Sequence, residues 1–168
     1  MKKLIIGLGL VSGLAFSSTV NAFTYAVVDM DEVAAKNAFL TQQDQVIEKN
    51  KQTVNARLKQ IENELKTMES TASSPQAANM KEADRQKLQT QYSAKQNEAQ
   101  TTVVNLQKSI QQTTLNAHNV WSKRIAQAGE QLRKEHKVDV IFDKKTVVSF
   151  DPKYDLTDKM TQLVNAIK

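Results

Sequence analysis

The hydrophobic positions of the chain fall into segments of different period. Phe23-Thr24-Tyr25-Ala26-Val27-Val28 is rich in β-branched and aromatic residues and reads as a short strand. Asp29 and Glu32 follow with the spacing of a capping box, which predicts a helix start with Asp29 as N-cap and Glu32 at N3. From Val33 the apolar residues recur every seven positions, at Leu40, Ile47, Val54, Ile61 and Met68. Leu58 and Leu65 fill the second seam position distally, whereas Asn37, Asp44 and Lys51 occupy it earlier. A sustained seven-residue repeat predicts a left-handed coiled coil, and about 40 residues without Gly or Pro allow roughly 60 Å of helix. So narrow an apolar stripe needs a partner helix.

Ser70-Thr71-Ala72-Ser73-Ser74-Pro75 breaks the repeat. Pro75 suits the first helical position and Ser74 the N-cap before it, so a tight reversal at 70–76 is predicted. A second helix should run from about Gln76 to His136. Its seam includes Leu88, Tyr92, Ala99, Val103, Leu106, Ile110, Ala117, Trp121, Ile125, Ala128 and Leu132. The arm hairpin is thus assigned to 31–120. Many of its seam positions are Ala, Thr, Lys or Gln, which makes the packing thin.

Beyond the helix, 138–143 and 146–150 alternate about Lys144-Lys145 and read as a β-hairpin, although the turn lacks Asn-Gly or Asp-Gly. Asp151-Pro152 closes the second strand. Leu156, Met160, Leu163, Val164 and Ile167 form one face of a final amphipathic helix over 156–168, which Asp155 or Thr157 can cap. Residues 23–30 and 121–168 therefore make a body of three short strands and a helix. So small a sheet is marginal alone. The fold class is α+β: a small barrel-type body shared between subunits, bearing a long antiparallel coiled-coil arm and a C-terminal helix. Tyr25, Val27, Val140, Ile141, Phe142 and Val148 are the residues assigned to the shared body.

The N-terminus adds an address. Met1-Lys2-Lys3, the apolar stretch Leu4 to Phe16 and the small, polar Ser17 to Ala22 match a secretory signal cleaved after Ala22. A stretch of thirteen residues spans only about 20 Å of helix, against ~30 Å of hydrocarbon. The chain has no Cys, so disulfides, thiolate metal sites and Cys nucleophiles are excluded. It has two His, His118 and His136, about 27 Å apart along one helix and too distant to share a metal. Neither an acid–base pair nor a Ser–His pair is evident, so no catalytic residue, metal or cofactor is assigned.

Positive charge is concentrated on the second arm helix. Residues 76–137 hold ten basic and five acidic side chains. Of these, Lys81, Arg85, Lys87, Lys95 and Lys108 lie where they could attract an acidic partner at long range. Apolar arm residues off the seam are Phe39, Val46, Val104, Leu115 and Val120, candidates for weak contact with an unfolded chain or for padding between helices.

The order strand, long helix, tip, long helix, strands, helix resembles the Skp/OmpH family of periplasmic chaperones. The residues that carry the resemblance are Ala26-Val27-Val28-Asp29-Met30, Arg124-Ile125-x-x-Ala128, Val138-Asp139-Val140-Ile141-Phe142-Asp143, Val147 and Asp155-Leu156-Thr157. The arms match in pattern only. The resemblance implies a periplasmic homotrimer whose arms enclose a cavity and hold unfolded outer-membrane proteins without ATP before membrane insertion. It also suggests lipopolysaccharide or an anionic membrane surface as a partner, without a family motif that maps onto particular residues here; by charge alone, Lys81, Arg85 and Lys87 near the tip could meet lipid phosphates. No phosphate-binding Gly-rich loop is present. The alternative reading is a periplasmic coiled-coil scaffold or tether that binds one folded partner. A pI near 9.3 alone suggests nucleic acid, but no reader module or aromatic platform supports specific binding.

Overall fold

The computed structural model describes residues 23–168, so the signal segment 1–22 lies outside the described residues. The chain is mostly helical. Strand β1 (Tyr25–Val28) leads into helix α1 (Met30–Ala35), and a break at Lys36–Asn37 precedes α2 (Ala38–Ala72). A short 3-10 turn, Pro75–Asn79, connects to α3 (Glu82–His136). Strand β2 (Val140–Asp143) follows, then two 3-10 turns and helix α4 (Thr157–Ala166).

Helix α1 starts where its sequence says it should. The Asp29 side chain accepts a hydrogen bond from the Glu32 backbone N–H at 3.1 Å. The reciprocal half of the capping box is missing. Glu32 instead meets Lys36 at 2.7 Å, and the Asp29 N–H donates to the Thr157 hydroxyl at 2.9 Å. The uninterrupted first helix expected from 31 onward is in fact two. Asn37, expected as a polar seam residue, is buried and caps α2 by accepting from the Leu40 N–H at 3.0 Å. Val33 packs in the body core. Helix α1 therefore belongs to the body, and the arm begins at Ala38 rather than Asp31.

The arm is an antiparallel pair, α2 of 35 residues and α3 of 55, or about 52 Å and 82 Å of helix. The reversal is longer than the expected tight turn. Helix α2 runs on to Ala72, Pro75 opens the 3-10 turn, and α3 begins at Glu82 rather than Gln76. Ser74 does not cap a helix with its side chain; its hydroxyl donates back to the Thr71 carbonyl at 2.8 Å. Five residues in 3-10 geometry satisfy too few backbone groups to continue as α-helix, and Met80 and Lys81 adopt extended conformations that restart the chain.

The strands pair differently from expectation. β1 lies parallel to β2, with Tyr25 opposite Val140 and Val28 opposite Asp143. The expected hairpin between 138–143 and 146–150 is absent, and 146–150 is not a strand in this chain. The local cause is Asp143. Its side chain accepts from the Lys145 N–H at 3.1 Å and its carbonyl from the Thr146 hydroxyl at 2.7 Å, turning Lys144–Thr146 into a 3-10 turn. Val148, expected in the shared body, is fully exposed. On its other edge β1 meets the segment before α4, where the Leu156 N–H donates to the Val27 carbonyl at 2.9 Å.

The body core gathers Val28, Val33, Ala128, Leu132, Met160 and Val164, with Trp121, Ile125, Ile141 and Leu156 packed around them. One β1 strand, one α1 turn, the root of α3 and one face of α4 thus share a single cluster. α4 is capped from one residue upstream: Asp155 accepts from the Thr157 N–H at 3.0 Å and from its hydroxyl at 2.6 Å. Helix α3 ends at Lys137, whose φ of 52° is left-handed. The Val138 N–H reaches back to the Arg133 carbonyl at 3.1 Å, closing the helix end.

Candidate functional site

The two helices of the arm touch through a thin, largely polar seam. Among the described arm residues, Ile61 and Ala117 are the buried apolar ones. Partway along the arm, where α2 and α3 run side by side, charged groups join them. The Lys95 ammonium lies 2.7 Å from Glu64 and 2.9 Å from Glu98, and Arg57 hydrogen-bonds Glu98. The hydrogen bond from Lys95 lowers the Glu64 pKa, and those from Lys95 and then Arg57 lower that of Glu98. Lys95 is raised in turn, chiefly by Glu64. Nearer the tip, the Tyr92 hydroxyl donates to Glu69 at 2.6 Å.

This network changes the role of one expected site residue. Lys95 was expected to face an acidic partner, but it is committed to the helix–helix contact. The other four cations are placed differently. Lys81 stands at the start of α3 and is exposed, as are Lys87 and Lys108. Arg85 lines a groove of about 230 Å³ with Met68, Ala72, Leu88 and Tyr92, and its guanidinium approaches the Met80 carbonyl at 3.3 Å.

The apolar set also divides. Phe39 is half-buried under the Arg124 guanidinium, 4.6 Å from the ring centroid, so it joins α2 to α3 at the arm root. Such a stacked cation and ring hold the helices together and leave Phe39 unavailable as a free surface. Val46, Val104 and Leu115 are exposed, Leu115 at 56% and Val104 at 59%. Val103, expected in the seam, is exposed too. The seam passes instead through the half-buried Thr102 and Leu106, which with Val54 line a gap of about 330 Å³. The arm therefore presents isolated apolar side chains among cations and amides, with no continuous apolar face.

At the body, Tyr25 stacks on Tyr154 with centroids 4.7 Å apart and meets the Phe142 ring edge-on at 6.2 Å. Val27 is fully buried and Val140 and Ile141 half-buried, whereas Phe142 remains 39% exposed and Phe23 66%. Sequence reading missed the clip beside them. Asp139 accepts from the Thr24 N–H at 2.8 Å, and the Asp139 N–H donates to the Thr24 carbonyl at 2.9 Å. The bond from the Thr24 N–H, and after it one from the Thr24 hydroxyl to the same carboxylate at 3.0 Å, lower the Asp139 pKa. The signal was present only as a Thr and an Asp more than a hundred residues apart, which no local pattern links.

Among the described residues no group of acidic or His side chains is arranged to hold a metal, and no helix is long and apolar enough to cross a membrane. A long two-helix arm thus rises from a small α+β base and carries exposed apolar side chains and, among the described residues, cations such as Lys81, Lys87 and Lys108 that make no ion pair. The model of the OmpH-like outer membrane protein family matches residues 24–164. The chain belongs to that family. A solved chain from Caulobacter crescentus CB15, described as a "putative outer membrane chaperone (OmpH-like)", shares the fold with a TM-score of 0.72. It is 17% identical, and the match covers 86% of this chain and 85% of that one. No curated protein matches this chain.

Proposed function

We propose that the protein is an ATP-independent periplasmic holdase chaperone. It binds unfolded outer-membrane proteins between helical arms and keeps them from aggregating before membrane insertion. The observation that carries this reading is the arm surface: Val46, the adjacent Val103 and Val104, and Leu115 are exposed at separate places along helices that also bear Lys81, Lys87 and Lys108. Scattered apolar points give many weak contacts, which suits a client that must be released unfolded. The cations draw acidic client segments at long range and lose that effect in salt. Family membership and the fold of the Caulobacter protein support the same reading.

The working unit in this proposal is a homotrimer. Within one chain β2 pairs only with β1 among the described residues, and Phe23, Phe142 and Val148, in or near these strands in sequence, stand exposed. A two-stranded sheet with an open edge and apolar neighbours is stabilised by pairing with further copies. Three arms on a closed shared sheet would then surround one client. Anionic lipid or lipopolysaccharide at Lys81, Arg85 and Lys87 is a subsidiary proposal on the same charge argument.

The test is dilution of a urea-unfolded outer-membrane barrel protein into buffer, with and without residues 23–168, followed by light scattering. Suppressed scattering that weakens in high salt supports the holdase. Undiminished scattering from a correctly folded protein would favour the scaffold that binds one folded partner.

A further inference from the structure

The break between α1 and α2 is closed by side chains from the far end of the sequence. The Asn37 amide donates to Asn165 Oδ1 at 2.9 Å, and the Ala38 N–H donates to the same oxygen at 3.2 Å. Asn165 returns a hydrogen bond from its own amide to the Lys36 carbonyl at 3.1 Å. Asn37 meanwhile caps α2 with its side-chain oxygen. Asn37 is only 1% exposed, and its side-chain nitrogen and oxygen each have a hydrogen-bond partner. An exposed ion pair sits beside it, Lys36 meeting Glu32 at 2.7 Å and Asp158 at 3.6 Å.

The position of this amide clasp has a mechanical meaning. Helix α3 is continuous from the arm into the body core, where Ala128 and Leu132 are buried. Helix α2 is not: it is severed from α1 at Lys36–Asn37 and held at its root by Asn165, beside the Phe39 ring stacked under Arg124. Two helices packed 8–10 Å apart cannot bend together unless one slides along the other, and a bend of about 20° needs a slide of roughly 3 Å. A hydrogen bond of ordinary length does not survive such a displacement.

We propose that the Asn37–Asn165 pair is a shear lock, which stiffens the arm by fixing the root of α2 against the C-terminal helix. With the clasp closed, the two helices are joined at the root as well as at the tip, and bending is resisted. With it open, α2 slides on its thin polar seam and the arm bends. The clasp controls the arm irrespective of what the arm binds.

The chain has no Cys, so two introduced cysteines can carry spin labels, one replacing Ser70 at the exposed end of α2 and one replacing the exposed Lys159 on α4. Labelled chain is mixed with excess unlabelled chain so that pulsed EPR reads distances within one chain. The single Trp, Trp121, packs against the body core, and its emission reports whether that core is intact. Asn165→Ala removes the clasp and keeps the α2 cap. Asn37→Ser keeps a capping oxygen and removes the amide that reaches Asn165, which guards against a folding defect peculiar to either variant. A 20° swing of the ~52 Å helix carries its tip roughly 15–20 Å sideways, so the distance distribution should widen by roughly 5 Å or more in both variants. Trp121 emission should not move. An unchanged width in both variants overturns the proposal, as does widening that appears only together with a shifted Trp121 emission, which would make the pair an ordinary part of the core.

Discussion

Lys95 of the second arm helix reaches Glu64 of the first at 2.7 Å and its own helix neighbour Glu98 at 2.9 Å, and so holds the arm together partway between tip and root. All three side chains retain a quarter to a third of their exposure, so the network is partly screened by water and salt. Lys95→Met should lower the thermal midpoint of the helical signal at low salt. The difference from the parent protein should shrink in molar salt. A difference independent of salt would mean that the side chain acts through packing alone.

The acid limb of stability should show the same network. Glu64 and Glu98 titrate below their ordinary 4.5 because Lys95 donates to both. Glu130, hydrogen-bonded by Arg133 and then by Lys134, is held down at about 2. A carboxylate lowered by folding contributes stability that is present above its unfolded pKa and is lost as pH falls through the folded one. The Glu130 contribution should therefore be complete above about 4.5 and vanish toward about 2. Urea midpoints of the parent and Glu130→Gln, measured across that range, should converge at the acid end. Curves that stay parallel would remove Glu130 from the acid transition.

Gly129 lies inside helix α3, where a glycine costs backbone entropy. A Cβ built there meets the Met160 methyl at 3.7 Å, an ordinary contact. Gly129→Ala should stabilise the body by about 0.5–1 kcal/mol, read from urea midpoints at matched protein concentration. A loss of stability would show that the α3–α4 contact has no room for a methyl.

Body and arm should respond oppositely to truncation. Leu132 is completely buried in the core, and Leu132→Ala should cost about 2–5 kcal/mol. Leu115 is 56% exposed on the arm. Leu115→Ser should leave stability within about 0.5 kcal/mol of the parent while weakening suppression of client aggregation. If Leu115→Ser unfolds the arm, that residue is packing rather than a contact surface.

These elements also show what a sequence makes legible. Asp29 and Glu32 sit three residues apart, and the cap they announce forms, because capping is a local hydrogen bond. The heptads from Leu40 to Met68 and the Leu156–Ile167 face likewise report a period that the helix itself imposes. The parallel pairing of Tyr25 with Val140 is different. It joins strands on either side of the whole arm, and nothing near Val140 indicates a partner more than a hundred residues away. The 138–150 segment looked like a hairpin because neighbouring strands usually pair, but Asp143 bonds to Lys145 and ends the strand. Asn37 and Lys95 were misread for a common reason. A polar residue on a coiled coil reads as surface or as a seam defect, and only the opposing helix reveals that Asn165 or Glu64 completes it.

The shared body makes a prediction of its own. Phe142 is 39% exposed beside Tyr25 and the open edge of β2. Phe142→Asp would place a charge where further copies are proposed to pack, so it should dissociate the assembly and leave the helical content of each chain unchanged. An assembly of unchanged mass would move the subunit contact elsewhere.

The central claim, a trimer that surrounds one unfolded client, is tested most directly by native mass measurement of residues 23–168, alone and after refolding a barrel protein in its presence. Three chains are expected alone, and three chains plus a single client in the mixture, with that complex lost in high salt. A monomer that captures no client, or a trimer whose mass is unchanged by an unfolded barrel, would contradict it.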